Sequence, residues 1–137
     1  MIDRAGVDRW LDDYVAAWKS YDRDAIGALF ADDVEYRYHP YDEPVRGRDS
    51  VVAAWREEAE FPGASGRDEP GIYDGSYRAV AIDGDVAVAV GQSTYTDGPD
   101  GPVAEVYDNC FLLRFDDEGR CREFTEWFVK RPLGADA

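Results

Sequence analysis

The 137-residue sequence contains few of the residues on which most metal and disulfide sites depend. It has a single histidine, His39, and two cysteines, Cys110 and Cys121. Two cysteines at this spacing are too few for a zinc site or a disulfide framework, so we expect both to be reduced packing residues. The sequence also has no leader-like apolar stretch at its start and no run of about 18 apolar residues that could cross a membrane, which predicts a cytoplasmic location.

Basic residues are scarce relative to acidic ones. Lysine and arginine together number 15, against 30 aspartates and glutamates, which gives a formal net charge of −15. Nucleic acids and anionic membrane surfaces are bound through basic protein surfaces. The composition therefore predicts that neither is a partner.

The sequence has no motif for a nucleotide, a calcium ion or a serine nucleophile. It contains no glycine-rich phosphate loop, no Gly-x-Ser-x-Gly segment and no calcium-loop spacing. Its acidic clusters fall where helix faces, caps and turns are predicted: Asp12-Asp13, Asp32-Asp33 and Asp116-Asp117-Glu118. We therefore expect no metal and no cofactor.

Large apolar side chains are abundant, since 45% of the residues are hydrophobic and 14% are aromatic. A chain of this length and composition can bury a core of its own. Because no linker-like segment interrupts it, residues 1–137 are predicted to form a single domain.

The spacing of apolar residues predicts helices first and strands afterwards. Three helices are expected, over about 4–20, from a cap at Asp22 through Phe30, and from Ser50 to about Glu60. A short strand at about 34–38 precedes the third helix, and a loop over 62–71 follows it. The remainder predicts four antiparallel strands, over about 72–82, 85–96, 103–115 and 120–131, with Asp83-Gly84 as a two-residue turn. This order favours an α+β fold with the helices on one side of a bent antiparallel sheet.

Both faces of the last predicted hairpin carry apolar side chains. If its turn comprises residues 116–119, Phe111 lies opposite Phe124 and Asn109 lies opposite Glu126. The inner face is then aromatic, with one polar pair at its middle. Because the outer face is also partly apolar, we expect a second copy of the chain to cover it and form a homodimer.

Several short segments combine into a family pattern. They are Tyr14 to Trp18, Asp24-Ala25-Ile26, Leu29 to Asp33, His39-Pro40, Glu43 to Arg48, and Leu113 to Arg120. Together they resemble the nuclear transport factor 2-like superfamily, and in particular its SnoaL-like domains, ketosteroid isomerases and polyketide cyclases. The resemblance covers nearly the whole chain. It implies a cone-shaped, curved antiparallel β-sheet packed against three helices of the N-terminal half and enclosing one small hydrophobic pocket.

His39 is the first residue to which the resemblance assigns a role. Ketosteroid isomerases carry a proton-shuttling aspartate at the position before this proline, which implies that His39 points into the pocket as an acid or base. Strand alternation instead places His39 on the face opposite to Tyr36 and Tyr38, where it would be a solvent-facing residue at the end of a strand, unless the strand bulges there. Both interpretations remain open.

Tyr14 is the second such residue. Its separation from His39 matches that between the oxyanion-donating tyrosine and the base of ketosteroid isomerases, so the resemblance implies that Tyr14 could stabilise an enolate. The alternative is a core tyrosine whose hydroxyl is bonded to a neighbour.

Glu126 and Asn109 are candidates that come from the hairpin pattern itself. A carboxyl among aromatic rings should have a raised pKa, which makes Glu126 a candidate acid or base, and Asn109 could orient it or a substrate. The alternative is a glutamate paired with an arginine or returned to solvent. Ketosteroid isomerases have a second oxyanion acid at about the position of Phe111, so their reaction is not predicted to carry over unchanged.

The other residues that are predicted to line the pocket are aromatic. They are Trp18, Tyr36, Tyr38, Trp55, Tyr107, Phe111, Phe124 and Phe128. A pocket of this kind favours proton-transfer chemistry on a small carbonyl compound, by an isomerase, cyclase or dehydratase type of reaction. Binding of a small apolar ligand without catalysis, or a role as a dimerisation module, is equally compatible with the same residues.

Overall fold

The computed structural model describes residues 2–56 and 71–132. Three helices are present, α1 (Arg4–Ser20), α2 (Arg23–Ala28) and α3 (Arg48–Arg56). Helix α1 begins after Asp3, whose carboxylate accepts a hydrogen bond from the Gly6 amide at 2.8 Å, and ends at Tyr21 in the left-handed conformation. Its bounds are those predicted from the apolar spacing.

Six strands form one curved, unclosed sheet, as the α+β prediction requires. They are β1 (Phe30–Arg37), β2 (Val45–Arg46), β3 (Tyr73–Asp83), β4 (Val86–Thr96), β5 (Val103–Phe115) and β6 (Cys121–Lys130). Their order across the sheet is β2-β1-β6-β5-β4-β3. All neighbouring pairs are antiparallel except β1 and β6, which run parallel, so the sheet is mostly rather than wholly antiparallel.

The parallel pair explains why the predicted second helix is too long. Helix α2 ends at Ala28, and Phe30 already belongs to β1, which pairs Phe30 with Cys121. The Cys121 amide donates to the Leu29 carbonyl at 2.9 Å, which fixes this start of the strand. The predicted end of the third helix near Glu60 and most of the predicted loop over 62–71 lie outside the described residues.

The two predicted hairpin turns are each displaced. Asp83 pairs with Val86, so the two-residue turn is Gly84-Asp85 rather than Asp83-Gly84. The final turn takes five residues, 116–120, because the Asp116 carboxylate accepts hydrogen bonds from the amides of Glu118 and Arg120 at 2.9 Å each.

The register predicted for the last hairpin is therefore wrong by two residues. Phe111 pairs with Glu126 instead of Phe124, and Asn109 pairs with Phe128 instead of Glu126. A shift of two residues leaves each side chain on its predicted face, because the side-chain period of a strand is two.

Helix α1 packs beside β3, which is an edge strand of the sheet. The Ala79 amide donates to the Asp8 carboxylate at 2.8 Å, and the Arg4 guanidinium donates to the Ala79 carbonyl at 2.6 Å. These bonds satisfy backbone groups that an edge strand would otherwise leave to solvent. In the part of the chain that is described, no helix is both long and apolar enough to span a membrane.

Candidate functional site

A cavity of about 360 Å³ lies between α1 and the inner face of the sheet. Its lining comes from α1, from the residue that follows β1, and from strands β3 to β6. The described lining residues are Tyr14, Trp18, Tyr38, Tyr73, Ser93, Tyr95, Glu105, Tyr107, Asn109, Glu126 and Phe128. Seven of these eleven side chains are aromatic, and the remaining four are polar.

A second depression, of about 660 Å³, lies between α1, α2 and the 116–120 turn. Apart from Trp10, Ile2 and Leu29, its lining consists of charged side chains and small residues. It contains none of the residues predicted for a site. We regard the aromatic cavity as the candidate site because carboxyl, amide and phenol groups converge there.

Tyr14 lies on the buried face of α1 and lines the cavity. Its ring stacks on Phe124, with centroids 5.7 Å apart, and packs edge-on against Trp55 at 5.4 Å. Burial raises the pKa of its hydroxyl well above the usual value, and nearby charges, including that of Glu126, raise it further. The Tyr14 phenol is therefore protonated at physiological pH and can donate a hydrogen bond into the cavity.

Glu126 lines the cavity from β6, opposite Phe111 in the neighbouring strand. Its side chain keeps some contact with solvent, yet protein surrounds most of it, and this desolvation raises its pKa to about 8. Desolvation is the one cause of the shift, so no cation or hydrogen bond among the described residues counteracts it.

Five phenol groups surround Glu126 closely enough that its negative charge raises their pKa values. They belong to Tyr14, Tyr36, Tyr38, Tyr73 and Tyr77. For each of them burial is the larger cause of the shift. The carboxyl group is thus enclosed by neutral side chains that can donate hydrogen bonds.

Asn109 belongs to a buried polar network on the same face of the sheet. Its Nδ2 donates to the Tyr77 hydroxyl at 2.7 Å and to Ser93 Oγ at 3.3 Å, and the Tyr77 and Ser93 hydroxyls are hydrogen-bonded to each other. The Asn109 Oδ1 atom is buried and has no hydrogen-bond partner among the described residues. An unpaired buried acceptor of this kind is uncommon in proteins and marks a position where a ligand donor could bind.

Other buried polar groups near the cavity are unpaired as well. The hydroxyls of Tyr36 and Tyr38 and the indole nitrogen of Trp55 have no partner in hydrogen-bond geometry within residues 2–56 and 71–132. The rings of Tyr36 and Tyr38 lie 4.8 Å apart, and Tyr36 lies 6.0 Å from Trp55. Of these three residues Tyr38 lines the cavity, whereas Tyr36 and Trp55 are buried beneath the lining.

His39 does not line the cavity. Its Nδ1 lies 2.8 Å from the Asp42 carboxylate, and its ring stacks on Tyr41, with centroids 5.1 Å apart. On its other side it contacts Phe128, a lining residue, at 5.2 Å. The single histidine is therefore placed at the rim of the cavity, behind Phe128.

Glu105 and Tyr107 form the polar part of the rim. The Tyr107 hydroxyl donates to Glu105 Oε2 at 3.0 Å, and Lys130 Nζ lies 3.1 Å from the same oxygen. Hydrogen bonding to Lys130 and Tyr107 lowers the pKa of Glu105. This carboxylate is therefore ionised at neutral pH and is paired with an exposed lysine that does not itself line the cavity.

The predicted pocket residues divide between the lining and the core beneath it. Trp18, Tyr38, Tyr107, Asn109 and Phe128 line the cavity together with Tyr14 and Glu126. The side chains of Tyr36, Trp55, Phe111 and Phe124 are almost completely buried under the lining. They support the site without facing the cavity.

Sequence reasoning missed four lining residues, Tyr73, Ser93, Tyr95 and Glu105. The alternation of side chains along the strands could have grouped these residues, because Tyr73 and Tyr77 lie on one face of β3 and Ser93 and Tyr95 lie on one face of β4. Which of two faces turns inward could not be read from strands that are partly apolar on both. In the described residues no group of His, Cys, Asp and Glu side chains has a geometry that could hold a metal ion.

Known proteins resemble this chain in sequence pattern and in fold. The sequence model of the SnoaL-like domain family matches residues 11–124. A comparison with curated protein sequences finds no match.

Two solved structures share the fold. An LEH-like epoxide hydrolase from M. tuberculosis is 17% identical, with a TM-score of 0.62 over 92% of this chain and 84% of its own. A ketosteroid isomerase candidate from Kribbella flavida is 20% identical, with a TM-score of 0.63 over 96% of this chain and 86% of its own. At these identities the likeness concerns the fold alone.

Proposed function

The chain belongs to the SnoaL-like domain family, and we propose that its cavity catalyses proton transfer on a small carbonyl compound without a cofactor. One observation carries the proposal. The Glu126 carboxyl lines an aromatic cavity, where desolvation raises its pKa to about 8. Near neutral pH both of its protonation states are populated, so the group can accept a proton from carbon and return it.

The surrounding phenols supply the second requirement of such a reaction. When a proton leaves the carbon beside a carbonyl, negative charge develops on the carbonyl oxygen and must be stabilised. Tyr14 lines the cavity as a protonated phenol, and Tyr38 also lines it, with a buried hydroxyl that has no partner among the described residues. We assign these two hydroxyls as the donors to that oxygen and Glu126 as the acid and base.

The placement of His39 supports a different role for it. Because its ring lies behind Phe128 and is bonded to Asp42, we assign His39 to positioning Phe128 at the rim. The names of the two structural relatives, an isomerase and an epoxide hydrolase, support a cavity in which small molecules are transformed.

Exchange of α-hydrogens tests the proposal without knowledge of the natural substrate. Cyclohexanone and other small ketones are incubated with the protein in deuterated buffer, and exchange is followed by NMR. We expect Glu126→Gln to lower the exchange rate about 100-fold or more, because it removes the base, and Tyr14→Phe to lower it about tenfold. The wild-type rate should rise with pH and level off above about pH 8, as Glu126 becomes ionised.

Two further variants make the result specific to this site. Glu123→Gln removes an exposed carboxylate from the same strand and should leave the rate unchanged. His39→Gln should lower the rate by less than about tenfold if the histidine only positions Phe128. Binding of the ketones without exchange, or exchange that survives in Glu126→Gln, would contradict the catalytic proposal; the former result would favour a binding module of the same fold.

The outer face of the sheet supports a second proposal, that the protein is a homodimer. Leu112, Trp127 and Val129 are 41%, 42% and 67% exposed. The register places Cys110 beside Trp127, and Val88 beside Leu112, so the apolar surface continues across β4, β5 and β6. A second copy of the chain would cover this surface through a self-complementary contact.

Sedimentation analysis tests the dimer. The wild-type protein is expected to sediment at twice the chain mass of 15.4 kDa at micromolar concentration, and Trp127→Glu at the mass of one chain. Tyr41→Glu is the control, because it adds the same charge to an exposed aromatic residue beyond β1 and should leave the dimer intact. A monomeric wild-type protein would contradict the proposal.

A further inference from the structure

Five aromatic residues of the cavity form a continuous wall. Each ring contacts the next, at centroid distances of 6.5, 5.5, 5.9 and 5.8 Å along the series Trp18, Tyr73, Tyr95, Tyr107 and Phe128. The faces of such rings carry negative electrostatic potential and attract cations, and a tryptophan or tyrosine face does so most strongly. The wall therefore favours a positively charged group over a neutral group of the same shape.

The polar groups of the cavity have the same preference. Glu126 supplies a carboxyl inside the cavity, and Glu105 supplies an ionised carboxylate at its rim. Asn109 Oδ1 is a buried acceptor that has no partner among the described residues. No lysine or arginine is among the described lining residues, and Lys130, which pairs with Glu105, is an exposed side chain outside the lining.

We propose that the substrate carries a protonated amine or a quaternary ammonium group, which binds among the aromatic rings within reach of Glu126 and Asn109. The inference rests on the proposed function, because it names the substrate class of the same cavity. The carbonyl end of the substrate would lie at Tyr14 and Tyr38, and the cationic end towards the aromatic wall. The net charge of −15 would draw such a cation towards the protein.

A cationic substrate would also change the state of the base. The titratable groups that face Glu126 are the phenols of Tyr14, Tyr36, Tyr38, Tyr73 and Tyr77, all neutral at physiological pH, with Glu105 further out at the rim. A positive charge brought next to Glu126 favours its carboxylate form. Binding of the substrate would therefore generate the base that the reaction needs.

Binding of three ligands that have nearly the same size and shape but different charges distinguishes the effect of charge from the effect of shape. They are benzyltrimethylammonium, its uncharged isostere neopentylbenzene, and the anion benzylsulfonate, with binding measured by the fluorescence of Trp18 and the other tryptophans. At about pH 9, where Glu126 is ionised, we expect the cation to bind at least about tenfold more tightly than the neutral isostere and the anion to bind most weakly. At about pH 6 the advantage of the cation should shrink, because Glu126 is then protonated.

Two variants locate the source of the preference. Glu126→Gln should lose most of the preference for the cation while binding the neutral isostere as before, and Glu123→Gln should retain the preference. Equal binding of cation and isostere would overturn the inference and leave the proposed function standing. A preference for the cation that persists in Glu126→Gln and disappears on adding salt would also overturn the inference, because the preference would then arise from the acidic protein surface and not from the cavity. A preference for the cation without α-hydrogen exchange on any ketone would support the ligand class and contradict the proposed function.

Discussion

Glutamine at position 126 is expected to make the protein more stable than the wild type at neutral and alkaline pH, by an amount that grows up to about pH 8 and then levels off. The pKa of Glu126 is about 8 in the folded protein, against 4.5 for an ordinary glutamate. Between these two pH values the folded state holds a proton that the unfolded chain has released. The stability that the protonated carboxyl contributes is complete below about pH 4.5 and falls by about 1.4 kcal/mol for each pH unit up to about pH 8. The full interval of about 3.5 units would amount to about 5 kcal/mol, and the solvent contact of the side chain reduces our expectation to about 2–3 kcal/mol.

Urea unfolding of both proteins at about pH 5, 7 and 9 measures this effect. The two should have nearly the same stability at about pH 5, near the pKa of the unfolded glutamate, and should diverge between about pH 5 and pH 8, where only the unfolded chain releases the proton. Above about pH 8 the difference should level off, because Glu126 is then ionised in the folded protein as well. Glu123→Gln serves as the control for the loss of one negative charge, because that side chain is half exposed and lies 3.3 Å from the Arg114 guanidinium. A difference between Glu126→Gln and the wild type that stays constant from pH 5 to pH 9 would show that Glu126 has no raised pKa.

The same measurement connects stability with function. A carboxyl whose ionisation destabilises the fold is typical of positions kept for chemistry or binding, because a core residue of similar size would serve packing better. Loss of α-hydrogen exchange together with a gain in stability at high pH would identify Glu126 as such a position. Loss of both exchange and stability would indicate that the variant disturbs the fold.

Much of the fold could be predicted from the sequence because its determinants are local or periodic. The apolar spacing of α1 and its Asp3 cap define the helix within the chain itself, and the alternation in β5 and β6 assigns each side chain to a face. Asn109 and Glu126 lie on the predicted face of the sheet despite the register error, because the error was two residues and side chains alternate between the faces with a period of two. The match of the SnoaL-like family model over residues 11–124 agrees with the resemblance in the helices, the first strand and the last hairpin.

Other features depend on contacts between distant parts of the chain, which a local pattern does not contain. Helix α2 ends early because Phe30 pairs with Cys121, about 90 residues away in sequence. The final turn is longer than predicted because the Asp116 side chain bonds two amides within it. His39 lies behind Phe128 because it comes after β1 has ended and bonds Asp42, so the position before a proline alone does not determine where its ring points.

Alanine at position 91 is expected to destabilise the protein by about 3 kcal/mol and to disrupt the polar network of the cavity. Gly91 lies on β4 between Tyr77 of β3 and Asn109 of β5. Above it the Tyr77 ring reaches across to stack on Phe111, with centroids 4.7 Å apart, and the Tyr77 hydroxyl accepts from Asn109 Nδ2. A Cβ atom at position 91 would lie 2.1 Å from the Ser76 carbonyl oxygen and 2.4 Å from the Tyr77 ring, so backbone and ring would both have to move. Urea unfolding measures the loss of stability, and ligand binding by the folded fraction measures the loss of the network.

Gly27→Ala is the matched control for this prediction, because it makes the same change where there is room for it. A Cβ atom at position 27 would meet the Arg48 and Val52 side chains at 3.8 and 3.9 Å, which are ordinary contact distances, and Gly27 lies within α2. Alanine is favoured over glycine inside a helix, so Gly27→Ala should be stabilised by about 0.5–1 kcal/mol and should bind ligands as the wild type does. If Gly91→Ala were as stable as the wild type and bound benzyltrimethylammonium equally well, Tyr77 and Asn109 could not lie as closely over β4 as the structure places them. Their hydrogen bonds would then have no part in shaping the cavity.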